Sequence, residues 1–376
     1  MNVGVNARIL SAATLRGWNR YTLNLLNELP ALGVHPILYS DQALHPTHLA
    51  RLPAETFTVR IAPPMWYARW EQRWLPAQLR SDGVALFHTP FHFGMPFFSH
   101  CPRVLTLHDA IDQAERSEAP LGERLAVRSQ LTNLYRWIAR TRAHHIITVS
   151  EHARGELIEH FGLAPARLTV TPEAADSHFH AEISQRERER VRVKFALSSS
   201  YIWYVGGYES RKNVPFLLRA FAEAALRDVR LVLAGDCESE RNELERLTHA
   251  LQIDDQVRLV GTIEDKDLPG LYAEALCFVY PSRHEGFGLQ LCEAMATGCP
   301  TLAARASSLP EVLGNGGETF TLHDTAELSE LLRRVSNDTE YRDQLAARAT
   351  ARSTQYSWKR TAAATVAVYR KAMNRT

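Results

Sequence analysis

Two carboxylates, Glu285 and Glu293, stand in the run Glu285-Gly286-Phe287-Gly288-Leu289-Gln290-Leu291-Cys292-Glu293, with a glycine loop beside the first and an apolar helical pattern carrying the second. Gly286 and Gly288 allow a tight turn and a close approach of backbone to a ligand. A helix starting there directs its free amides and the positive end of its dipole back at the loop, so an anion belongs at that point, above all a diphosphate. Glu285 then lies at the phosphate end. Glu293 lies about two turns along the helix at roughly 1.5 Å rise per residue, where it could accept hydrogen bonds from a ribose.

This E-x7-E spacing resembles the signature of the retaining glycosyltransferases of the GT-B fold, family 4, and the resemblance is strongest from Tyr280-Pro281-Ser282 to Pro310-Glu311-Val312. It implies two Rossmann-like α/β domains facing across a cleft, a nucleoside diphosphate sugar as donor, and transfer of a hexose to a hydroxyl by front-side attack, without metal or cofactor. Glu285 would act near the sugar ring. Backbone amides around Phe287, Gly288 and Leu289 would stabilise the diphosphate, and Glu293 would hold the ribose.

The remaining site residues follow from the same resemblance. Lys212, in Gly206-Gly207-Tyr208-Glu209-Ser210-Arg211-Lys212-Asn213, matches the lysine that contacts the diphosphate; Asn213 is expected to cap the next helix, with Pro215 in its first turn. Relatives often carry arginine where this chain has Tyr208, and Arg211 is the substitute. His108, in Leu105-Thr106-Leu107-His108-Asp109, matches a histidine near the transferred sugar, with a hydrogen-bonding or electrostatic task rather than proton abstraction. Gly17, in Arg16-Gly17-Trp18-Asn19-Arg20-Tyr21, matches a loop that lies against phosphate or acceptor. Ile263, after Val260-Gly261-Thr262, matches a backbone site for the nucleobase.

The elements that must position these residues are legible as short apolar runs. Val3-Gly4-Val5, Pro36 to Tyr39, Val84 to Phe87, Val104 to Leu107 and Ile146 to Val149 form one series; Tyr201 to Val205, Leu231 to Ala234, Val257 to Val260, Leu276 to Tyr280 and Thr301 to Ala303 form a second. Continuous runs of this kind suit parallel strands buried on both faces. The 376 residues suggest about two domains at roughly 150 residues each. We expect an acceptor domain over 1–175, a donor domain over 176–355, and a closing segment over 356–376 that returns to the first domain with Trp358 as a packing anchor. Thr171 to Asp176 reads as the hinge, and Gln185 to Arg192 as a solvated helix.

Composition narrows the partners. With 43 Lys+Arg against 42 Asp+Glu and 45% hydrophobic residues, the chain reads as a neutral soluble protein that asks for no nucleic acid. Five scattered cysteines make neither a disulfide framework nor a zinc site, which fits a reducing cytoplasm, and no apolar run approaches the roughly 20 residues of a membrane span. Residues 1–10 read as a strand rather than a signal peptide. Asp265-Lys266-Asp267 reads as a helix cap rather than a metal motif, and His88 with His92 and His144 with His145 lack a completed ligand set.

Met65 to Trp74, with four aromatics and two arginines, reads as core packing with snorkelling arginines. A lipid-linked acceptor or the inner face of a membrane is its alternative task. The Arg-Lys-Asn pattern resembles bacterial polysaccharide mannosyltransferases and points to GDP-mannose, with other GDP- and UDP-linked sugars open and a glycan or lipid-linked acceptor. The alternatives from other classes are a two-lobed nucleotide-sugar epimerase or hydrolase and a catalytically silent nucleotide-sugar-binding subunit.

Overall fold

A computed structural model describes residues 1–13, 17–53, 55–110, 127–236 and 238–374, without the side chains of 127–132. Arg16 and Cys237 lie outside the described residues. The chain divides into two compact units: Met1–Glu173 with Ser357–Thr376, and Ala174–Tyr356.

The first unit is built on seven strands: β1 (Asn2–Asn6), β2 (His35–Ser40), β3 (Thr58–Ile61), β4 (Leu86–Thr89), β5 (Arg103–Thr106), β6 (His145–Thr148) and β7 (Leu168–Val170). They lie in the order β3-β2-β1-β4-β5-β6-β7, with every pairing parallel. Residues of β4, β5 and β6 are buried throughout, as a sheet covered on both faces requires. The second unit holds β8 (Ser200–Val205), β9 (Val229–Ala234), β10 (Val257–Gly261), β11 (Cys277–Tyr280), β12 (Thr301–Ala304) and β13 (Glu318–Phe320), in the parallel order β10-β9-β8-β11-β12-β13.

Both sheets reverse direction of strand addition once, between β1 and β4 in the first unit and between β8 and β11 in the second. The loops leaving the two central strands diverge there and open a crevice at the carboxyl edge, where open α/β sheets bind ligands.

The closing helix Trp358–Met373 packs in the first unit. Ser357 caps it by accepting from the Arg360 amide at 3.2 Å. Trp358 is 6% exposed and meets the Tyr21 ring edge-on at 5.8 Å, as an anchor should.

Two local readings are corrected. The helix Gln185–Lys194 is not simply solvated: Arg190 and Lys194 both bond Asp267, Lys194 at 2.6 Å, and Arg192 bonds Glu274 at 3.1 Å. Asp267 is therefore a wholly buried anion held by two cations, and its side chain makes no capping bond to the helix Leu268–Glu274 that it precedes. Burial of a charge demands such partners, and they outcompete a cap.

Candidate active site

In the second unit the loop after β8 carries Arg211 and Lys212, and the loop after β11 carries Glu285, so the two loops that flank the strand-order reversal meet. Lys212 Nζ donates to Glu285 Oε1 at 2.6 Å and to the Tyr280 hydroxyl at 3.1 Å. Ser282 Oγ donates to the same Oε1 at 2.6 Å, and Arg211 Nη1 reaches it at 3.2 Å. Lys212 and Glu285 are 6% and 8% exposed. Burial by itself would push the Glu285 carboxyl up, but Lys212, then Arg211, and the bonds from Lys212 and Ser282 hold it below the ordinary carboxylate value. The group is an anion fixed among cations.

The glycine loop is pinned from behind. Glu285 N donates to Ser307 Oγ at 2.9 Å, and Ser308 Oγ donates to the carbonyls of Glu285 and Phe287 at 2.8 and 3.0 Å. Gly288 has φ of +95° at the start of the helix Leu289–Ala296, and a Cβ there would stand 2.8 Å from Leu309 Cδ2, so a side chain is excluded twice over. Glu293 is 4% exposed on that helix, and the Tyr272 hydroxyl donates to its Oε2 at 3.1 Å, which sets the orientation of the carboxylate.

Asn213 does not cap as expected. It stands in the left-handed region at φ +56°, its side chain makes no capping bond to the helix Val214–Ala224, and its Oδ1 accepts instead from Arg283 at 3.2 Å. Tyr208 is 7% exposed and meets Tyr204 edge-on at 5.9 Å, so this position is part of the packing. Ile263 follows β10, just past Gly261 with φ +69°.

In the first unit His108, two residues past β5, is 6% exposed with both ring nitrogens engaged. Nδ1 lies 2.8 Å from Glu173 Oε1 and Nε2 lies 3.2 Å from the Pro90 carbonyl. Only the imidazolium can donate from both nitrogens at once. Burial lowers its pKa, but the hydrogen bond and charge of Glu173, with the Pro90 carbonyl, raise it above the ordinary histidine value overall. The Tyr21 ring stands edge-on at 4.8 Å, and the helix Gly17–Glu28 that carries Tyr21 also places Trp18 6.4 Å away.

The other histidines have structural tasks. His88 bridges Tyr369 OH and Thr106 Oγ1, both at 2.8 Å, and burial pushes its pKa down to about 3. His144 Nδ1 accepts from the Arg103 amide at 3.1 Å, and His145 Nε2 lies 2.8 Å from Thr169 Oγ1. One grouping in the second unit brings metal-ligating atoms together: Asp176, His178 and Asp265 offer atoms within 4.8 Å of one another. Sequence reasoning missed Glu173, Ser282, Tyr280 and Tyr272. The available signals were the Glu in the hinge and the Pro-Ser just after β11.

Comparison with known proteins bears on family and fold. The family profile described as Glycosyltransferase Family 4 matches residues 15–179, and that described as Glycosyl transferases group 1 matches residues 185–352. O-antigen chain mannosyltransferase B of Escherichia coli is 35% identical over 230 residues, 60% of this chain and 60% of that protein. The MMP alpha-(1->4)-mannosyltransferase of Mycolicibacterium hassiacum is 34% identical over 235 residues, 61% of this chain and 54% of that protein. The chain thus spans less than two thirds of the length of these curated relatives.

Anabaena HepE, solved in complex with UDP and glucose, superposes with a TM-score of 0.75 at 17% identity over 98% of this chain and 99% of that one, a likeness of fold. Among the described residues no helix is long and apolar enough to cross a membrane. By its two matched domains and its paired parallel sheets, the chain belongs to the family 4, group 1 glycosyltransferases of the GT-B fold.

Proposed function

We propose that this chain is a retaining hexosyltransferase that moves mannose from GDP-mannose to a hydroxyl of a glycan or lipid-linked acceptor. The observation that carries the reading is the convergence of Lys212, Arg211 and Glu285 at the strand-order reversal of the second unit. The choice of mannose is supported by the names of the E. coli and Mycolicibacterium relatives, both mannosyltransferases.

Cleavage of a sugar nucleotide places charge on a diphosphate leaving group. Two fixed cations and the amides at Phe287 to Leu289 answer that charge without reorganising, and Lys212 is desolvated, which strengthens its attraction. Arg211 takes the place of the arginine that relatives carry at position 208. Three donors fix Glu285 Oε1 and so orient the carboxylate for hydroxyls of the sugar. Glu293, oriented by Tyr272, holds the ribose, and the backbone at Ile263 holds the base. On the first unit His108 supplies a fixed positive charge near the transferred sugar; a doubly bonded imidazolium is no general base.

Calorimetric titration with GDP, UDP and ADP, first with EDTA and then with magnesium, tests the reading. Metal-free binding of GDP with a weak response to UDP supports it. Preference for UDP moves the donor to the UDP series, a magnesium requirement removes metal independence and directs attention to Asp176, His178 and Asp265, and no binding to any nucleotide overturns the reading.

A further inference from the structure

Glu71 is wholly buried, and the chemistry proposed above does not use it. It lies in a π-helical turn, Trp70–Trp74, set between the helical segments Tyr67–Arg69 and Leu75–Ser81. Pro76 accounts for that turn: it has no N–H to offer the carbonyl four residues back, and its ring would collide with it. The widened turn sets Trp70 and Glu71 together in the interior, both 0% exposed.

One carboxylate oxygen, Oε1, accepts from Gln72 Nε2 at 3.1 Å. The Tyr67 hydroxyl and the Met95 backbone also face the buried carboxyl and favour its charged form, but less than burial opposes it. Burial pushes the Glu71 carboxyl up to about 8, so at neutral pH it is a neutral acid. A buried acid at a helix irregularity calls for an explanation in what it supports.

Above it, Tyr67 is clasped from two sides. The Arg8 guanidinium lies 4.9 Å over its ring, and Tyr135 meets it edge-on at 5.2 Å. Arg8 Nε in turn donates to Asp41 Oδ1 at 2.7 Å. Arg8, Asp41 and Tyr67 follow the carboxyl ends of β1, β2 and β3, so they share the sheet edge at which open parallel sheets bind ligands. Trp66, the residue before Tyr67 in the chain, exposes 87% of its surface.

We propose that this rim is a subsite for a pyranose of the acceptor glycan: the Trp66 indole stacks on the apolar face of the sugar, the Arg8–Asp41 pair bonds its hydroxyls, and Tyr67 over Glu71 positions Arg8. The inference rests on the glycosyl-transfer reading and adds its acceptor side. The chemistry favours a neutral polyol, because the paired charges of Arg8 and Asp41 cancel while the guanidinium keeps donors and the carboxylate keeps acceptors for hydroxyls. An open aromatic face suits the C–H surface of a hexose.

The test uses the full chain with methyl hexopyranosides and mannose oligosaccharides as probes, read by saturation-transfer NMR, alongside GDP titration and GDP-mannose hydrolysis without acceptor. The wild type should saturate sugar protons. Trp66→Ala and Asp41→Asn should each weaken sugar binding about tenfold, as loss of one stacking or charged contact does, with GDP affinity and hydrolysis unchanged. Glu71→Gln, which keeps the shape of a neutral acid, should retain sugar binding, and Glu71→Leu should weaken it. Absence of saturation in the wild type, or unchanged binding in both Trp66→Ala and Asp41→Asn, overturns the subsite. So does loss by Trp66→Ala of co-sedimentation with phosphatidylglycerol vesicles while sugar binding stays intact, which would make Trp66 a lipid contact. Failure of GDP binding alone strikes the donor reading instead.

Discussion

Lys212 Nζ and Glu285 Oε1 lie 2.6 Å apart although 73 positions separate them in the chain. The cation expected at a diphosphate and the carboxylate expected at a sugar are thus one buried ion pair. On the proposed reading a bound diphosphate would share Lys212 with Glu285, and the pair would hold the cation ready until it does.

Lys212→Ala should therefore lose more than nucleotide affinity. Removing one partner of a buried pair costs about 3–5 kcal/mol, less where another cation remains, as Arg211 does here. We expect a fall in melting temperature together with a drop in kcat/KM of about 100-fold. The double variant Lys212→Met/Glu285→Gln should be more stable than the sum of the single losses predicts, as thermal denaturation would show. Additive losses would mean that the pair is not coupled.

Glu285→Gln should separate binding from turnover. The amide leaves Lys212 and Arg211 free of a competing negative charge, so GDP should bind as tightly as to wild type or tighter. Loss of a transition-state contact should cut kcat by about 100-fold or more. Weakened GDP binding with normal kcat in rapid-quench assays would contradict the assigned role.

On the proposed role of His108, its pairing with Glu173 should make activity pH-dependent. The folded-state pKa of His108 is raised, so the stabilisation from its charged form is fully present below the ordinary histidine value, near 6.5, and is lost as pH rises through the folded value. We expect kcat/KM to fall on the alkaline side, and Glu173→Gln to move that limb to lower pH, since the largest raising contributions come from Glu173. NMR of the His108 ring would follow the shift directly; an unmoved limb would show that the pair does not control it.

Glu71 titrates in the opposite setting, a carboxyl without a cation to bond it. Its folded value of about 8 lies above the ordinary glutamate value, so the folded state binds more protons than the unfolded one between them, and stability should decline as pH rises from about 5 to 8. Glu71→Gln should remove that decline, on the order of a few kcal/mol. Denaturant unfolding at several pH values would reveal it, and parallel slopes in the two proteins would rule it out.

Tyr208→Arg should not improve activity. The position is buried against Tyr204, and Arg211 already bonds Glu285, so a guanidinium at 208 would have to displace packed aromatic surface. A gain in kcat/KM would show that the site lacks a charge.

Ten of the thirteen strands among the described residues are visible as apolar runs: nine are interior strands of a parallel sheet, buried on both faces, and the tenth, β10, is a five-residue edge strand with an apolar run of its own. The three without such a run, β3, β7 and β13, are edge strands of three or four residues that are only partly buried. An edge strand of only three or four residues gains its place from a neighbour's hydrogen bonds more than from its own hydrophobicity, so it leaves little trace in a linear reading.

By itself the sequence determined the two α/β series, the glycine turn at Gly288, the spacing of Glu285 and Glu293, and the positions of Lys212 and His108 just beyond strand ends. All of these are local, set by period, turn chemistry and strand length within a few residues. Only the tertiary structure decided that Lys212 pairs with Glu285, that Glu173 holds His108 as a cation, that Asp267 is a buried anion and not a cap, and that Pro76 turns Glu71 inward beneath Tyr67. Those outcomes depend on which loops the strand order brings to one edge of a sheet and on which charges burial forces together, and neither is written in the spacing of residues along a chain.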